Sequence, residues 1–332
     1  MKSIVLPAYN KNVLRAILSL QIQERELPVP RDNEVLIKTH AAPVNPSDIA
    51  FIQGGYNIVK TLPAAPGFEG SGIIADAGKH ARHLIGKKVS SFVQDDRDGT
   101  WAEYFVAHEN DLIVLQDNMD MDQAACFTVN PFTAYGMIEI ALLRESRAII
   151  QNAGGGQVAA FIRTMAREHG IEVINIVRKP ETATKLKQEG VKHVLAQNDE
   201  LFEEQLKTLA AELNASLAFD AVGGELAGQM FNALTDDAEL VVYGGLSNKP
   251  LSGIDVMDVI FRNKIISGFN LMDWKNELDE TDFEEISGKL QSKFINGTYK
   301  TEIREAVSLE DFVKGLKAYL GDMSGGKILI KP

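Results

Sequence analysis

A chain of 332 residues, 45% hydrophobic and 24% charged, is long enough for two domains with ordinary cores and has the composition of a globular protein. Its formal net charge of −12 argues against a nucleic-acid footprint or an anionic membrane as partner, while leaving room for a local basic site. The single cysteine, Cys126, rules out an intrachain disulfide and a cysteine-rich zinc site, and its expected role is that of a small buried apolar residue. The opening MKSIVLPAYN lacks the basic segment and apolar core of a secretory signal, and no apolar run reaches the roughly twenty residues that span a bilayer. The expected compartment is therefore the cytoplasm.

Residues 1 to about 118 predict a β-rich domain. The runs SIVLPAY, RAILSLQIQE, EVLIKTHAAPV, GSGIIADAG, KKVSSFV and EYFVAH alternate or are β-branched, and Pro, Gly, Asn and Asp separate them. Between them, PVNPSDIAFIQGGYNIVKTLPAAPGFEGSG (43–72) is too rich in turn residues to predict regular structure, and loops of this kind on a rigid scaffold often carry function. From 121 to 143 the spacing is helical on both sides of Pro131, predicting two helices that join near Asn130.

The stretch 147–178 then reads as strand, glycine turn, helix and strand in one unit. Ala148, Ile149 and Ile150 form a short buried strand. Gly154, Gly156 and Ala159 match G-x-G-x-x-G/A, in which the first glycine permits the turn, the second admits a pyrophosphate, and the small third residue lets helix and strand pack closely. Gln157 and Val158 open the helix, whose N-terminal N–H groups suit phosphate. Val158, Phe161, Ile162, Met165 and Ala166 recur at helical spacing, Gly170 stops the helix, and IEVINIV follows as a strand. A chain preferring NAD carries Asp or Glu after that second strand; here Arg178 and Lys179 stand there, a pair suited to the 2′-phosphate of NADPH, although two solvated surface charges are the plainer alternative.

Strand and helix continue to alternate through HVLA, ELFEEQLKTLAAEL, SLAFDAVGG, GELAGQMFNAL, AELVVYGG and KIISGFNL, as a parallel doubly wound sheet requires. FEEISGKLQSKFINGT, TEIREAV, LEDFVKGLKAYL and KILIK then predict helix, strand, helix and strand that return to complete the first domain. The fold expected is α/β, with a discontinuous β-rich domain wrapped around a nucleotide-binding insert.

This arrangement resembles the medium-chain dehydrogenase/reductase superfamily, which implies a GroES-like catalytic domain (1–120 and 272–332) and a Rossmann domain (121–271). In the zinc-dependent members a cysteine ligand and a Gly-His-Glu histidine occupy places that here look like Asn45 and Phe68. Neither can supply thiolate or imidazole, so the resemblance is to the zinc-free branch, with no metal expected. VNPSDI, IQGGY, GTWAE, VNPFTAY, IQNA, INIVR, YGG and GFNLMDW resemble the 2-enoyl thioester reductases, spread over nearly the whole chain, and quinone reductases of the same branch share the architecture.

What the resemblance implies is residue-specific. Tyr56 is expected as the acid that protonates the substrate α-carbon, and Asn130 as a contact to the nicotinamide end, although Asn before Pro is also ordinary turn chemistry. Asn45, Gly154, Gly156, Gln157, Val158, Arg178 and Lys179 are expected around the cofactor. So are Tyr243, Gly244, Gly245, Phe269, Asn270 and Leu271, together with Lys327 at a phosphate. Trp274 is a candidate for the acyl pocket, with a core role as its alternative. The chain departs from the family at Gln157, Ala159, Lys179 and Asn270, which bears on cofactor grip, selectivity and pocket shape. The activity implied is NADPH-dependent, zinc-independent reduction of activated carbon–carbon double bonds in enoyl thioesters or enones. The alternatives are an NADPH:quinone reductase and, from another class, a non-catalytic NADPH-binding redox sensor. The strand 265–271 is expected at a sheet edge, where a homodimer could pair.

Overall fold

Strand pairing in the first part of the chain starts with β1 (Lys2–Val5) against β2 (Gln21–Glu24), antiparallel. The computed structural model, which describes residues 1–332, departs from the sequence reading between them: 15–19, expected as part of the β run RAILSLQIQE, belong to α1 (Val13–Ser19). Asn12 caps this helix by accepting the Arg15 N–H at 3.0 Å, and Ala16 and Ile17 enter the core while Leu14 and Leu18 stay outside. A local cap and a two-residue buried stripe outweigh the β-branched texture.

Along the chain follow β3 (Glu34–Pro43), α2 (Pro46–Ile52), β4 (Glu69–Ala77), β5 (Lys88–Phe92), β6 (Tyr104–His108), β7 (Leu112–Val114) and α3 (Met121–Ala125). The stretch 43–72 thus contains a helix that its turn-rich composition concealed. Pro46 opens α2, where a missing N–H costs nothing, and Asp48 in the first turn accepts the Asn45 N–H at 2.7 Å.

The chain then forms α4 (Asn130–Leu143), β8 (Ala148–Gln151), α5 (Gln157–Glu168), β9 (Glu172–Val177), α6 (Pro180–Gln188), β10 (His193–Ala196), α7 (Phe202–Leu213), β11 (Leu217–Asp220), α8 (Glu225–Ala233), β12 (Glu239–Val242), α9 (Val256–Phe261), β13 (Ile265–Gly268) and α10 (Leu271–Glu277). Six parallel strands pair in the order β10-β9-β8-β11-β12-β13. The order reverses between β8 and β11, the position at which open α/β sheets bind ligands beyond their strand C-termini. The run 264–271 leaves the strand at Gly268, because Asn270 caps α10 by accepting the Met272 and Asp273 N–H groups.

Finally α11 (Glu280–Ile295), β14 (Ile303–Ser308), α12 (Phe312–Gly321) and β15 (Lys327–Lys331) return to the first sheet. That sheet runs β14-β15-β3-β4-β5-β7, with β6 on β3. The result is an α/β protein with a GroES-like β domain and a Rossmann-type parallel sheet, as expected.

Two compact units emerge, 1–130 with 281–332, and 131–280, so the changeovers fall somewhat later than the expected 121 and 272. Side-chain bonds account for both. The Ser71 and Ser90 hydroxyls donate to the Met121 and Ala124 carbonyls, and Lys331 pairs with Asp122 at 2.6 Å, which ties α3 to the first unit. The Trp274 indole donates to Glu139 of α4 at 2.9 Å, which ties α10 to the second. The first core gathers Ile4, Leu6, Phe51, Phe68, Trp101, Phe312 and Ile328; the second gathers Ile150, Ile174, Ile176, Phe202, Phe231 and Leu240.

Candidate active site

In the second unit, β8 ends on two buried amides. Gln151 donates to the Asn175 side-chain oxygen at 2.7 Å and to the Ala159 carbonyl at 3.1 Å, joining β8, β9 and α5 beneath the glycine turn. The turn itself corrects one expectation. The left-handed residue is Ala153, at φ 47°, and not Gly154. Gly154 is needed for close approach: a Cβ there would lie 3.1 Å from the Ile176 carbonyl oxygen and 3.2 Å from the Asn175 Cβ. Gly156 is the N-cap of α5 and offers no side chain to its first-turn N–H groups, which suits an incoming phosphate. Ala159 is buried against the sheet, as the small third residue should be. Gln157 and Val158, both half-buried, form the first turn of α5.

Arg163 lies under this turn. Its guanidinium donates to the Gly154 carbonyl and, at 3.2 Å, to Asn175, and burial pulls its pKa down to about 10. Beyond β9, Arg178 and Lys179 are exposed and form no ion pair within the chain. Across the switch point, Asp220 at the end of β11 accepts the Asn152 amide and the Val222 and Gly223 N–H groups at 2.9 Å. Tyr243 follows β12 and donates its N–H to the Asp220 carbonyl at 2.9 Å; burial, then the Asp220 charge, push its phenol upward. A Cβ on Gly244 would fall 2.9 Å from the Ala221 carbonyl, so glycine is required where these two strand exits cross, while Gly245 lies in open space.

Phe269 leaves β13 with its ring 6.4 Å from that of Trp274, and both rings lie against Gly136, where a Cβ would come within 2.8 Å of Phe269. Phe132 and Tyr135 complete this aromatic group around Trp274, while Asn270 serves as the cap of α10 and Leu271 as its first residue. Trp274 is thus half-buried and anchored through its N–H rather than immersed in the core.

In the first unit, Asn45, Asp48, Glu69 and Lys327 form a buried polar group. Lys327 donates to the Asn45 side-chain oxygen, and the Asn45 amide donates to Glu69 at 3.0 Å. Glu69 also accepts from Thr128 and from the Val129 N–H at 2.9 Å, and burial raises its pKa. Asp48 accepts the Asn45 and Phe68 N–H groups, yet burial pushes it up to about 7. Gly67, at φ 96° and with no room for a Cβ beside Thr100 and Trp101, sets Phe68 and Glu69 in place. No three His, Cys, Asp or Glu side chains are grouped to hold a metal ion.

Tyr56 packs its ring 5.3 Å from that of Phe68, and its oxygen accepts the Gln94 amide at 3.1 Å. Burial raises its pKa above the ordinary phenol value, which keeps the proton on at neutral pH. Asn130, the first residue of α4, is buried and makes no side-chain hydrogen bond. Gln94 and Arg163 escaped the sequence reading, since neither belongs to a recognisable motif. Asp48 had a usable signal: Asn-Pro-Ser-Asp is the pattern of a helix start with an acid in its first turn.

Comparison with known proteins agrees with this architecture. Residues 31–117 match the alcohol dehydrogenase GroES-like domain, and residues 158–287 the domain described as zinc-binding dehydrogenase. The mitochondrial enoyl-[acyl-carrier-protein] reductase of Xenopus tropicalis is 34% identical over 275 residues, covering 80% of this chain and 77% of the relative. A solved structure from Mesorhizobium loti, described as a candidate NADPH:quinone reductase, is 32% identical with a TM-score of 0.94, covering 100% of this chain and 98% of that one. The mitochondrial 2-enoyl thioester reductase Etr1p/Etr2p heterodimer of Candida tropicalis shares the fold, with 24% identity, a TM-score of 0.80 and coverage of 100% and 99%.

These matches define a two-domain oxidoreductase. The chain belongs to the medium-chain dehydrogenase/reductase superfamily, among relatives named as enoyl reductases and quinone reductases. The Xenopus tropicalis relative is mitochondrial by name, which does not favour the cytoplasmic expectation, and no helix is long and apolar enough to cross a membrane.

Proposed function

We propose that the protein is an NADPH-dependent, zinc-independent reductase of activated carbon–carbon double bonds, acting on 2-enoyl thioesters or enones with Tyr56 as proton donor. The observation that carries this reading is the Tyr56 hydroxyl: its oxygen accepts from Gln94, so its own proton is available to a substrate. Support for the cofactor comes from the cradle around Gly154 and Gly156, which a Cβ would fill, and from the unpaired Arg178 and Lys179 at the adenosine end. When bound, NADPH supplies the hydride for the substrate β-carbon. Tyr56 then gives its proton to the α-carbon as negative charge develops on the substrate.

Asn130, with its amide uncommitted, is assigned to the nicotinamide end, and Tyr243 to Gly245 with Phe269 to Leu271 to the cofactor's walls. Lys327 and Asn45 are proposed as cofactor contacts that would have to exchange the bonds they make to one another and to Glu69. Zinc independence is favoured by Asn45 and Phe68, which offer neither thiolate nor imidazole. Trp274, with Phe132, Tyr135 and Phe269 beside it, is the proposed apolar wall for an acyl chain. The edge strand β13, with Ile265 48% and Ile266 39% exposed, is the proposed dimer contact with a second copy.

The second reading, NADPH:quinone reductase, is favoured by the 32% identity and TM-score of 0.94 to the Mesorhizobium loti structure. A panel of short enoyl thioesters, enones and quinones assayed for NADPH oxidation separates the two. Turnover of an enoyl thioester with loss of the double bond is expected. Turnover of quinones alone overturns the reading, and cofactor binding without turnover of any of them favours the redox sensor.

A further inference from the structure

Two loops converge on the Tyr56 hydroxyl, and only one carries the tyrosine. The other, 93–99, is fastened at several points. Val93 donates its N–H to the Phe68 carbonyl at 2.6 Å, Lys60 donates its ammonium to the Arg97 carbonyl, and Arg97 pairs with Glu34. Asp98 accepts the Ala65 N–H at 2.7 Å, and Gly99 donates to the Ala65 carbonyl at 2.8 Å. Phe68 is the common platform: its ring lies beside Tyr56, its carbonyl holds Val93, and its N–H is held by Asp48 at 3.1 Å. Gln94, the residue after Val93, is therefore delivered to the phenol by a loop that is pinned on both sides.

We infer that Gln94 is a positioning residue that sets the direction of the Tyr56 proton: by donating its amide N–H to the phenol oxygen, it turns the hydroxyl hydrogen away from the protein and toward substrate. The inference rests on the proposed role of Tyr56 as proton donor. A phenol oxygen that accepts from a fixed donor keeps its single hydrogen for another partner, whereas a fixed acceptor at the same place would capture that hydrogen. The same N–H stabilises what remains after transfer. As the phenol O–H breaks and the α-carbon gains the proton, the oxygen retains the electron pair, and the bond from Gln94 becomes one to a phenolate before water returns a proton.

The charged groups nearest this pair are Asp48 on α2, whose charge acts on the Tyr56 phenol, Lys60, whose ammonium lies 5.7 Å from the centre of the Phe68 ring, and Asp95, the residue after Gln94, which interacts with Lys60. All three are shared by wild type and variants, so the ratio of their rates reports residue 94 alone.

The experiment is the pH dependence of kcat for Gln94→Glu and Gln94→Leu, relative to wild type, on the best substrate of the panel. The protonated glutamic acid can donate to the phenol as glutamine does, whereas its carboxylate only accepts. The Gln94→Glu ratio should therefore be near one at low pH and fall about tenfold or more as the new carboxyl ionises. Gln94→Leu should lose about tenfold with no such step, and NADPH affinity should be unchanged in both. A Gln94→Glu ratio that does not change with pH overturns the inference, as does an unimpaired Gln94→Leu if the glutamate variant fails to fold. Tyr56→Phe, run alongside, separates the two claims: a wild-type rate there sinks the proton-donor reading itself, while a slow Tyr56→Phe with a flat Gln94→Glu ratio sinks only the role of Gln94.

Discussion

Asparagine at position 48 tests the electrostatics of the first unit. Asp48 is fully buried, accepts two backbone N–H groups and is influenced by Lys327, but desolvation outweighs these and lifts its pKa from 3.8 to about 7. A carboxyl whose folded value is raised binds more protons in the folded state, so its contribution to stability is complete below the unfolded value and is lost as pH rises toward the folded one. The window here runs from 3.8 to about 7, and at 1.36 kcal/mol per unit the loss is at most about 4 kcal/mol.

Asparagine resembles the protonated acid in shape and does not titrate; it keeps only one of the two oxygens that accept the Asn45 and Phe68 N–H groups, a loss that is the same at every pH. Urea unfolding of wild type and Asp48→Asn between about pH 5 and about pH 8 should therefore show their difference moving by about 2–3 kcal/mol in favour of the variant, with no further change above. Other carboxylates cancel because both proteins share them. A difference that stays constant, or moves in favour of wild type, would mean that the two N–H groups and Lys327 keep Asp48 ionised, and the desolvation argument would be wrong.

Arg178→Ala should raise the dissociation constant for NADPH about tenfold in a fluorescence titration and leave that for NADH unchanged, whereas equal changes for both would refute the 2′-phosphate assignment. Ala153→Gly removes a methyl group from a left-handed residue at φ 47° and should stabilise the protein by about 0.5–1 kcal/mol in chemical denaturation; destabilisation would show that the turn is unstrained. Ile266→Glu on the exposed edge of β13 should convert a dimer to a monomer in light scattering, and a monomeric wild type would end the dimer proposal.

Much of the fold is legible in the sequence because its signals are periodic and local. The strand, glycine turn, helix and strand of 147–178 follow from apolar runs and helical spacing alone, and the later βα units repeat the pattern. What escaped was set by short-range caps or by distant neighbours. Val13–Ser19 and Pro46–Ile52 are helices of seven residues each, too short for their periodicity to outweigh β-branched or turn-rich composition, and only Asn12 and the Asn-Pro-Ser-Asp sequence mark their starts. The glycine pattern marked the right turn but not the residue that makes it, because nothing in an alanine announces a left-handed backbone. Gln94 meets Tyr56 only through the pairing of two loops 38 residues apart, and no spacing rule reaches that far.

The proposed chemistry turns on a single hydroxyl. Replacing it with Tyr56→Phe leaves the ring on Phe68 and removes only the oxygen that Gln94 meets. The decisive measurement is kcat for an enoyl thioester in this variant, with NADPH affinity measured on the same sample. The account predicts a loss of about 10²–10⁴-fold in kcat with cofactor binding intact. Reduction at the wild-type rate would contradict it.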